Sequence, residues 1–221
     1  MKKYFSFLRS LLNGKVIVDY KMAALTDERK LPVPQTGNYI RISTFELAVR
    51  EIMENKVPGE TAEVGVYRGD FAKYINQAFP DRKLYLFDTF EGFDKNDTAI
   101  EQAKNFGEGN QDFSNTSTEL VLSKMVNKNN CIIKQGRFPA SLNGLEEKFC
   151  FVSLDADLYE PIYQGLVYFY PRLNKGGYIF IHDYNNKHYG GAKQAVREYC
   201  EQHQIGYVPV SDEWGTVVIT K

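Results

Sequence analysis

The sequence predicts an α/β protein whose mostly parallel sheet ends in an antiparallel hairpin. Short apolar runs alternate with segments of helical periodicity, which is the pattern of repeated strand–helix units. Near the C-terminal end, the apolar runs 207–210 and 214–220 are separated by three polar residues, which predicts a hairpin. The earlier runs predicted as strands are 62–66, 83–87, 131–135, 149–154 and 178–181.

The composition is ordinary for a globular protein and argues against two classes of partner. Hydrophobic residues make up 43% of the 221 residues, and the formal net charge is -1. Such a chain has no broad electrostatic case for binding nucleic acid or a membrane surface, and no apolar run approaches the ~20 residues of a membrane span. The three cysteines lack metal-ligand spacing and suit reduced thiols. We therefore expect a cytoplasmic protein with one main domain.

The first 42 residues are predicted to form an N-terminal helix and a covering arm. Residues 1–12 have one apolar helical face but no core of their own, so we expect them to dock on the main domain or on another subunit. Residues 13–42 show weak periodicity and contain two prolines that resist regular structure. The main domain is predicted to span 43–221, with Ser43 and Glu46 as a capping box where its first helix begins.

Glu63 and two glycines make the first strand and its turn candidates for binding a ligand. Ligands of open α/β sheets bind at the carboxyl ends of strands, near the point where strand order reverses. A carboxylate inside a strand is costly unless it finds a donor, so Glu63 is either exposed at the rim of the sheet or directed at a ligand. Gly65 and Gly69 would let the backbone approach a ligand closely. Their spacing is neither that of a dinucleotide-binding motif nor that of a phosphate loop, which disfavours a dehydrogenase.

Acidic residues follow three further predicted strands, so four strand ends are expected to share one pocket. Asp88 follows Glu63 at about the spacing of a ribose-binding acid, although it is also placed to organise a turn. Asp155 and Asp157 follow the next buried run; Asp157 can equally cap the helix after it, whereas Asp155 has no such alternative role. His182 and Asp183 end the run after that.

Residues 91–115 are predicted as a loop that forms a flexible insertion near the mouth of the pocket. The segment is rich in Asp, Asn and Gly, which are typical of loops. Because charged side chains are mostly exposed, we expect its acids to be solvated rather than to bind metal. A molecule bound in the shared pocket is expected to contact this segment and 13–42.

Five segments, taken in order, resemble the macrocin O-methyltransferase family over roughly residues 38–221. The resemblance implies a seven-stranded Rossmann-like fold with helices on both faces, and S-adenosylmethionine (SAM) as the methyl donor. Several segments in one order are more specific than any one of them alone. The matching segments are Glu-Val-Gly-Val-Tyr-Arg-Gly (63–69), Phe-Asp-Thr-Phe-Glu-Gly-Phe (87–93), Gly-Arg-Phe-Pro (136–139), Leu-Asp-Ala-Asp-Leu-Tyr (154–159) and His-Asp-Tyr (182–184).

The same resemblance implies where SAM and a divalent metal bind. The metal ligands would be Asp155, His182 and Asp183, where His182 departs from the family's usual aspartate. Mg²⁺, the expected metal, prefers oxygen ligands, whereas imidazole suits Mn²⁺ better. His182 is therefore a ligand, a general base beside a metal-free site, or a structural residue. The residues implied for SAM are Glu63, Gly65, Tyr67 and Gly69, with Asp88 and Thr89 at the ribose and Gly136, Arg137 and Phe138 near the adenine.

The function that we expect is SAM-dependent O-methylation of a sugar hydroxyl on a glycan or a natural-product glycoside. A metal would lower the pKa of the acceptor hydroxyl, and Asp157 would accept its proton with His182 assisting. Family members are commonly oligomeric, so we expect a homo-oligomer. Two alternatives stay open: a phenol or amine acceptor at the same SAM site, and a non-catalytic SAM-binding module.

Overall fold

The computed structural model describes residues 39–221, whose strands form one seven-stranded sheet. The predicted helix 1–12 and nearly all of the predicted arm lie outside the described residues. Residues 39–42, assigned to the arm, are the first residues of a helix, and the division into two domains otherwise stays a prediction. The strands are β1 (Glu60–Val64), β2 (Leu84–Asp88), β3 (Cys131–Gln135), β4 (Phe149–Leu154), β5 (Leu173–Ile181), β6 (Val208–Pro209) and β7 (Val217–Thr220).

Six α-helices accompany these strands in the described part of the chain, together with two short 3₁₀ turns. Within residues 39–221, every helix is too short or too polar to cross a membrane. The expected cytoplasmic location and homo-oligomeric state stay predictions. The helices are α1 (Tyr39–Glu54), α2 (Ala72–Ala78), α3 (Lys95–Ala103), α4 (Thr118–Ser123), α5 (Tyr159–Arg172) and α6 (Gly190–His203).

The strand order, β3-β2-β1-β4-β5-β7-β6, confirms the predicted fold class. The pairs from β3 through to β5 are parallel, whereas β7 runs antiparallel to both β5 and β6. Because the chain builds one half of the sheet outward from β1 and the other half outward from β4, strand order reverses between these two strands. Ligands of such sheets bind at this reversal point. Val64 is paired with Leu154 and Leu154 with Ile181, so the residues after these three strands meet at one edge.

The core lies on both faces of the sheet, because successive side chains of a buried strand point to opposite sides. On one face, Phe45 of α1 packs edge-on against Phe151 of β4, with ring centroids 4.7 Å apart. On the other face, Val152 joins the apolar cluster that includes Ile162 of α5 and Val196 of α6. Every residue of β4 is buried, as expected of a central parallel strand.

The predicted loop 91–115 is wrong for residues 95–103, which form α3. Two of its acids are buried rather than solvated: Asp97 is 5% exposed and Glu101 is fully buried. Asp94 caps the helix by accepting from the Asn96 N–H at 2.8 Å. The helix lacks an apolar stripe because part of its buried face is made of carboxylates, so periodicity could not reveal it.

Two predicted helix starts are also wrong. Because α1 begins at Tyr39, Ser43 is buried inside the helix instead of capping it. The sequence also predicts a helix over 70–79 with Asp70 as its cap, but Asp70 precedes the Phe71 cap position of α2 and forms ion pairs with Lys124 and Lys73. Short-range capping patterns occur by chance, and packing decides which of them is used.

Glu101 joins three helices through one carboxylate. Its Oε2 accepts from the Tyr159 N–H at 2.9 Å, and its Oε1 accepts from the Gly191 N–H at 3.1 Å. These N–H groups lie in the first turns of α5 and α6, where helical amides lack partners within the helix and favour negative charge. Gly191 is required there, because an added Cβ would lie 2.2 Å from Oε2 of Glu101.

We expect Glu101→Gln to lower the free energy of unfolding by about 1–3 kcal/mol. The glutamine oxygen can serve one of the two amides, but its NH₂ group would face the other and leave a buried donor unpaired. Urea unfolding measures the difference, with the exposed α6 residue changed in Glu201→Gln as the matched control. Equal stability of the two variants would refute this role for Glu101.

Candidate active site

Two adjoining cavities open at the edge where β1, β4 and β5 end. The larger has a volume of about 590 Å³ and the smaller about 100 Å³. They share one wall, so a group bound in one cavity would lie beside a group bound in the other. The residues that border both cavities are Gly65, Tyr67, Phe113, Asp155 and Asp157.

Gly65 brings the tip of β1 against the tip of β4. The Asp155 N–H donates to the Val64 carbonyl at 2.8 Å, and a Cβ on Gly65 would lie 2.1 Å from the Asp155 carbonyl oxygen. Gly65 also has a φ of +82°, which side chains strongly disfavour. The shared wall of the cavities therefore requires glycine at this position.

Asp88 holds the loop after β1 through two backbone amides and the turn after β2 through a third. Its Oδ2 accepts from the N–H groups of Val66 and Tyr67, both at 2.7 Å, and its Oδ1 accepts from the Phe90 N–H at 2.7 Å. These contacts are those expected of an aspartate that organises turns. Since a carboxylate can accept about four hydrogen bonds, they leave capacity for a ligand. Asp88 borders the smaller cavity, and its contact with a ribose stays a prediction.

The outer wall of the smaller cavity combines apolar side chains with an ion pair. Phe138 is buried and lies edge-on to Phe87, with centroids 5.5 Å apart. Arg137 donates to Oδ1 of Asp97 at 2.6 Å and lies 3.5 Å from Asp94, which ties the loop after β3 to the start of α3. Burial raises the pKa of Asp97 despite this partner.

Asp155, His182 and Asp183, the three predicted metal ligands, lie together at the ends of β4 and β5; we call them the triad. Nδ1 of His182 is 3.0 Å from Oδ1 of Asp155 and 2.8 Å from Oδ2 of Asp183. One ligand atom from each residue lies within 4.8 Å of the other two. The remaining carboxylate oxygens are held elsewhere: Arg41 donates to Oδ2 of Asp155 and Asn186 to Oδ1 of Asp183, both at 2.9 Å.

Two further carboxylates lie close to the triad. Glu63 is 1% exposed, and its Oε2 has no hydrogen-bond partner among the described residues. Burial, reinforced by the charge of Asp155, raises its pKa well above the usual range. Asp157 has a φ of +59°, and burial together with Asp183 and Asp155 likewise raises its pKa.

The electrostatics of this cluster favour a bound cation. Burial acts against a charged imidazole, but Asp155 and Asp183 raise the pKa of His182 to about 9. Despite burial, Arg41 and His182 hold the pKa of Asp155 below its usual value. The four carboxyl groups outnumber the one guanidinium and one imidazole beside them, and the raised pKa values of Glu63 and Asp157 mean that their charged forms are disfavoured without a further positive charge. A positive ligand would favour those charged forms.

Arg41 and Asn186 were missed by the sequence analysis. Arg41 lay in the segment assigned to the arm, yet it is 5% exposed, and its guanidinium lies 4.0 Å from the centre of the Phe71 ring. The available signal was its position four residues before Phe45, on the same helical face. Asn186 belongs to no recognisable motif, so only the folded turn reveals its contact.

The structure brings nearly all the predicted site residues to the two cavities, although their individual roles stay predictions. Of the predicted cofactor-binding residues, Gly69 alone borders neither cavity. A Cβ added to Gly69 would meet Val121 of α4 at 3.1 Å, so the space beside Gly69 is filled by a helix, and its predicted SAM contact stays a prediction. Of all the predicted site residues, the ones that border the larger cavity are Glu63, Gly65, Tyr67, Asp155, Asp157, His182 and Asp183. The ones that border the smaller cavity are Gly65, Tyr67, Asp88, Thr89, Gly136, Arg137, Phe138, Asp155 and Asp157.

Comparison with known proteins gives concordant matches. The family model described as macrocin-O-methyltransferase (TylF) matches residues 4–217. Mycinamicin III 3''-O-methyltransferase from Micromonospora griseorubida is 27% identical over 75% of this chain and 69% of its own length. An O-methyltransferase from Streptomyces olivaceus, which acts at the 4' position of a rhamnosyl tetracenomycin, is 27% identical over 80% and 71%. The solved O-methyltransferase NovP superposes with a TM-score of 0.71 at 22% identity, covering 83% of this chain and 80% of its own, and supports the fold.

We expect Gly65→Ala to destabilise the protein by about 2–4 kcal/mol, because the added Cβ meets both a disfavoured φ and the Asp155 carbonyl. Thermal unfolding measures the loss. Gly206→Ala is the control, since Gly206 is exposed and nothing lies within 4 Å of a Cβ added there. A Gly65→Ala protein as stable as this control would contradict the close approach of β1 and β4.

Proposed function

The chain belongs to the macrocin O-methyltransferase family, and from this premise we propose that it transfers the methyl group of SAM to a sugar hydroxyl. The observation that carries the proposal is the wall shared by the two cavities, which includes Asp155 and Asp157. A methyl donor in one cavity and an acceptor in the other would meet at these carboxylates. The name of the Streptomyces olivaceus relative, which describes a rhamnosyl tetracenomycin as its substrate, favours a glycosyl hydroxyl as the acceptor.

We assign the adenosine part of SAM to the smaller cavity. Its apolar side chains, including Phe138 and Leu158, suit a flat aromatic ring, and Asp88 lies where ribose hydroxyls could donate to it. SAM supplies an electrophilic methyl group on a sulfonium. The excess of carboxylates around the triad favours that positive charge, with Glu63 and Gly65 on the side toward the larger cavity.

The triad fits a divalent cation. Its three ligand atoms converge, and two of them are carboxylate oxygens whose partner oxygens are already hydrogen-bonded. When bound, the cation would lower the pKa of the acceptor hydroxyl and fix its direction. With an imidazole among the ligands, Mn²⁺ suits the site better than the Mg²⁺ expected from the family.

Asp157 is the proposed general base. It borders both cavities, so its carboxylate can reach a hydroxyl that approaches the shared wall. Nδ1 of His182 is already in contact with two carboxylates. His182 is therefore better suited to binding the cation together with them than to accepting the proton of the acceptor hydroxyl.

Trp214 and Gln111 of the larger cavity offer an aromatic face and a polar group, the mixture that a sugar requires.

A methyl-transfer assay with labelled SAM tests the proposal. Sugar nucleotides and simple glycosides are offered beside catechol and an aromatic amine, and SAM binding is measured separately by calorimetry. We expect micromolar SAM binding and methylation of a sugar hydroxyl. Methylation of catechol or the amine alone would replace the proposed acceptor, and SAM binding without any turnover would favour a non-catalytic module.

We expect Asp157→Asn to lower kcat by about 10²–10⁴-fold while the affinity for SAM changes far less, because the variant removes the proton acceptor but keeps the size of the side chain and leaves the other three carboxyl groups in place. Asp112→Asn, which changes an exposed carboxylate outside both cavities, is the matched control. The same assay and the same calorimetry measure both variants. Turnover at the control level in Asp157→Asn would exclude Asp157 as the base.

We expect His182→Asp to shift the metal preference toward Mg²⁺, because it replaces the imidazole with a hard oxygen ligand. The measurement is competitive binding of Mn²⁺ and Mg²⁺ to metal-stripped protein. The wild type should prefer Mn²⁺ by a larger factor than the variant does. An unchanged preference would mean that His182 does not contact the cation.

A further inference from the structure

Each carboxylate of the triad is oriented by a side chain from outside the triad. We propose that Arg41 and Asn186 are positioning residues that make Asp155 and Asp183 each present one oxygen to a divalent cation. This inference rests on the proposed metal-assisted function and deepens it. It adds two residues, on α1 and on the turn after β5, that no sequence pattern had assigned to the site.

Of the four carboxylate oxygens of Asp155 and Asp183, two accept hydrogen bonds from Arg41 and Asn186, and the other two converge on His182. Arg41 holds Oδ2 of Asp155, and Asn186 holds Oδ1 of Asp183. The other two oxygens lie 3.0 and 2.8 Å from Nδ1 of His182. A cation with metal–ligand bonds of about 2.1 Å in octahedral geometry places neighbouring ligands roughly 3 Å apart. Each of the two oxygens already has this separation from Nδ1 of His182.

Asn186 is itself held in the orientation that this role requires. Its side-chain oxygen accepts from the His188 N–H at 3.0 Å, which turns its NH₂ group toward Asp183. Its own N–H donates to the Asp183 carbonyl at 3.0 Å, so the turn folds back on the ligand. Asp183 has a φ of +59°, and this tight turn supports that less common conformation.

Arg41 differs from Asn186 because it brings a charge. It is buried, donates to Asp155 and more weakly to Ser153 at 3.4 Å, and packs over Phe71. Removing it has two opposed effects: the ligand loses its orientation, and a positive charge that repels the cation disappears. Removing the amide of Asn186 has the first effect alone. The two variants together therefore separate orientation from charge.

The experiment titrates Mn²⁺ alone into the metal-stripped full chain, with free Mn²⁺ followed by electron paramagnetic resonance. We expect Asn186→Ala to weaken Mn²⁺ binding by about 10–100-fold, the usual effect of losing a partner of a metal ligand. Arg41→Met should also weaken it, and Arg41→Lys should recover part of the affinity. Asn185→Ala is the matched control, because that neighbouring side chain is exposed and accepts from Lys193 instead.

Thermal unfolding in chelator and SAM calorimetry accompany each titration, so that a general loss of fold is separated from a local loss of metal. If Arg41→Met does not fold, the comparison of Asn186→Ala with Asn185→Ala decides the matter. Wild-type affinity in Asn186→Ala would overturn the inference and leave the proposed function standing. Tighter Mn²⁺ binding in Arg41→Met would show that Arg41 competes with the cation. A wild type that binds no Mn²⁺ would overturn the metal-assisted function and this inference together.

Discussion

The cluster of buried and half-buried carboxyl groups at the reversal point of the sheet is the constraint on which the site depends. Four acidic side chains lie where β1, β4 and β5 end. Among the described residues, Arg41 and His182 are the basic groups that lower the pKa of Asp155 there. Gathering like charges in a poorly hydrated place is unfavourable unless cations join them. The arrangement is therefore one that a positively charged donor and a metal would complete, and it agrees with membership of a methyltransferase family.

Much of the architecture could be predicted because each buried parallel strand appears in the sequence as a short apolar run. The apolar runs that became β3 and β4 were placed with their observed bounds. The acid that ends β2 and the acids after β4 and β5 reached one edge because parallel strands end on the same side. Gly65 could be predicted as a point of close approach, although the group that approaches it is the Asp155 backbone.

What could not be predicted depends on contacts between distant segments. Helix α3 buries Glu101 against the first turns of α5 and α6, and no periodicity marks a helix whose buried face is partly charged. Arg41 meets Asp155 across 114 positions of sequence. The capping pattern at Ser43 was misleading because α1 begins four residues earlier, at Tyr39, with its first turns packed on the core. For Glu101 and Arg41 the deciding interaction is polar and distant in sequence, so the local pattern could not show it.

Because Arg41, Asp155 and Asp183 are far apart in sequence and meet only in the folded protein, the lifetime of the protein in a cell is linked to the binding of its ligands. The triad and its partner Arg41 come together only once β4, β5 and helix α1 have packed, so an unfolded chain cannot offer the same set of atoms. A cation or donor that binds there adds its binding free energy to the stability of the native state alone. Shortage of either ligand would then reduce not only turnover but also the lifetime of the enzyme against proteolysis.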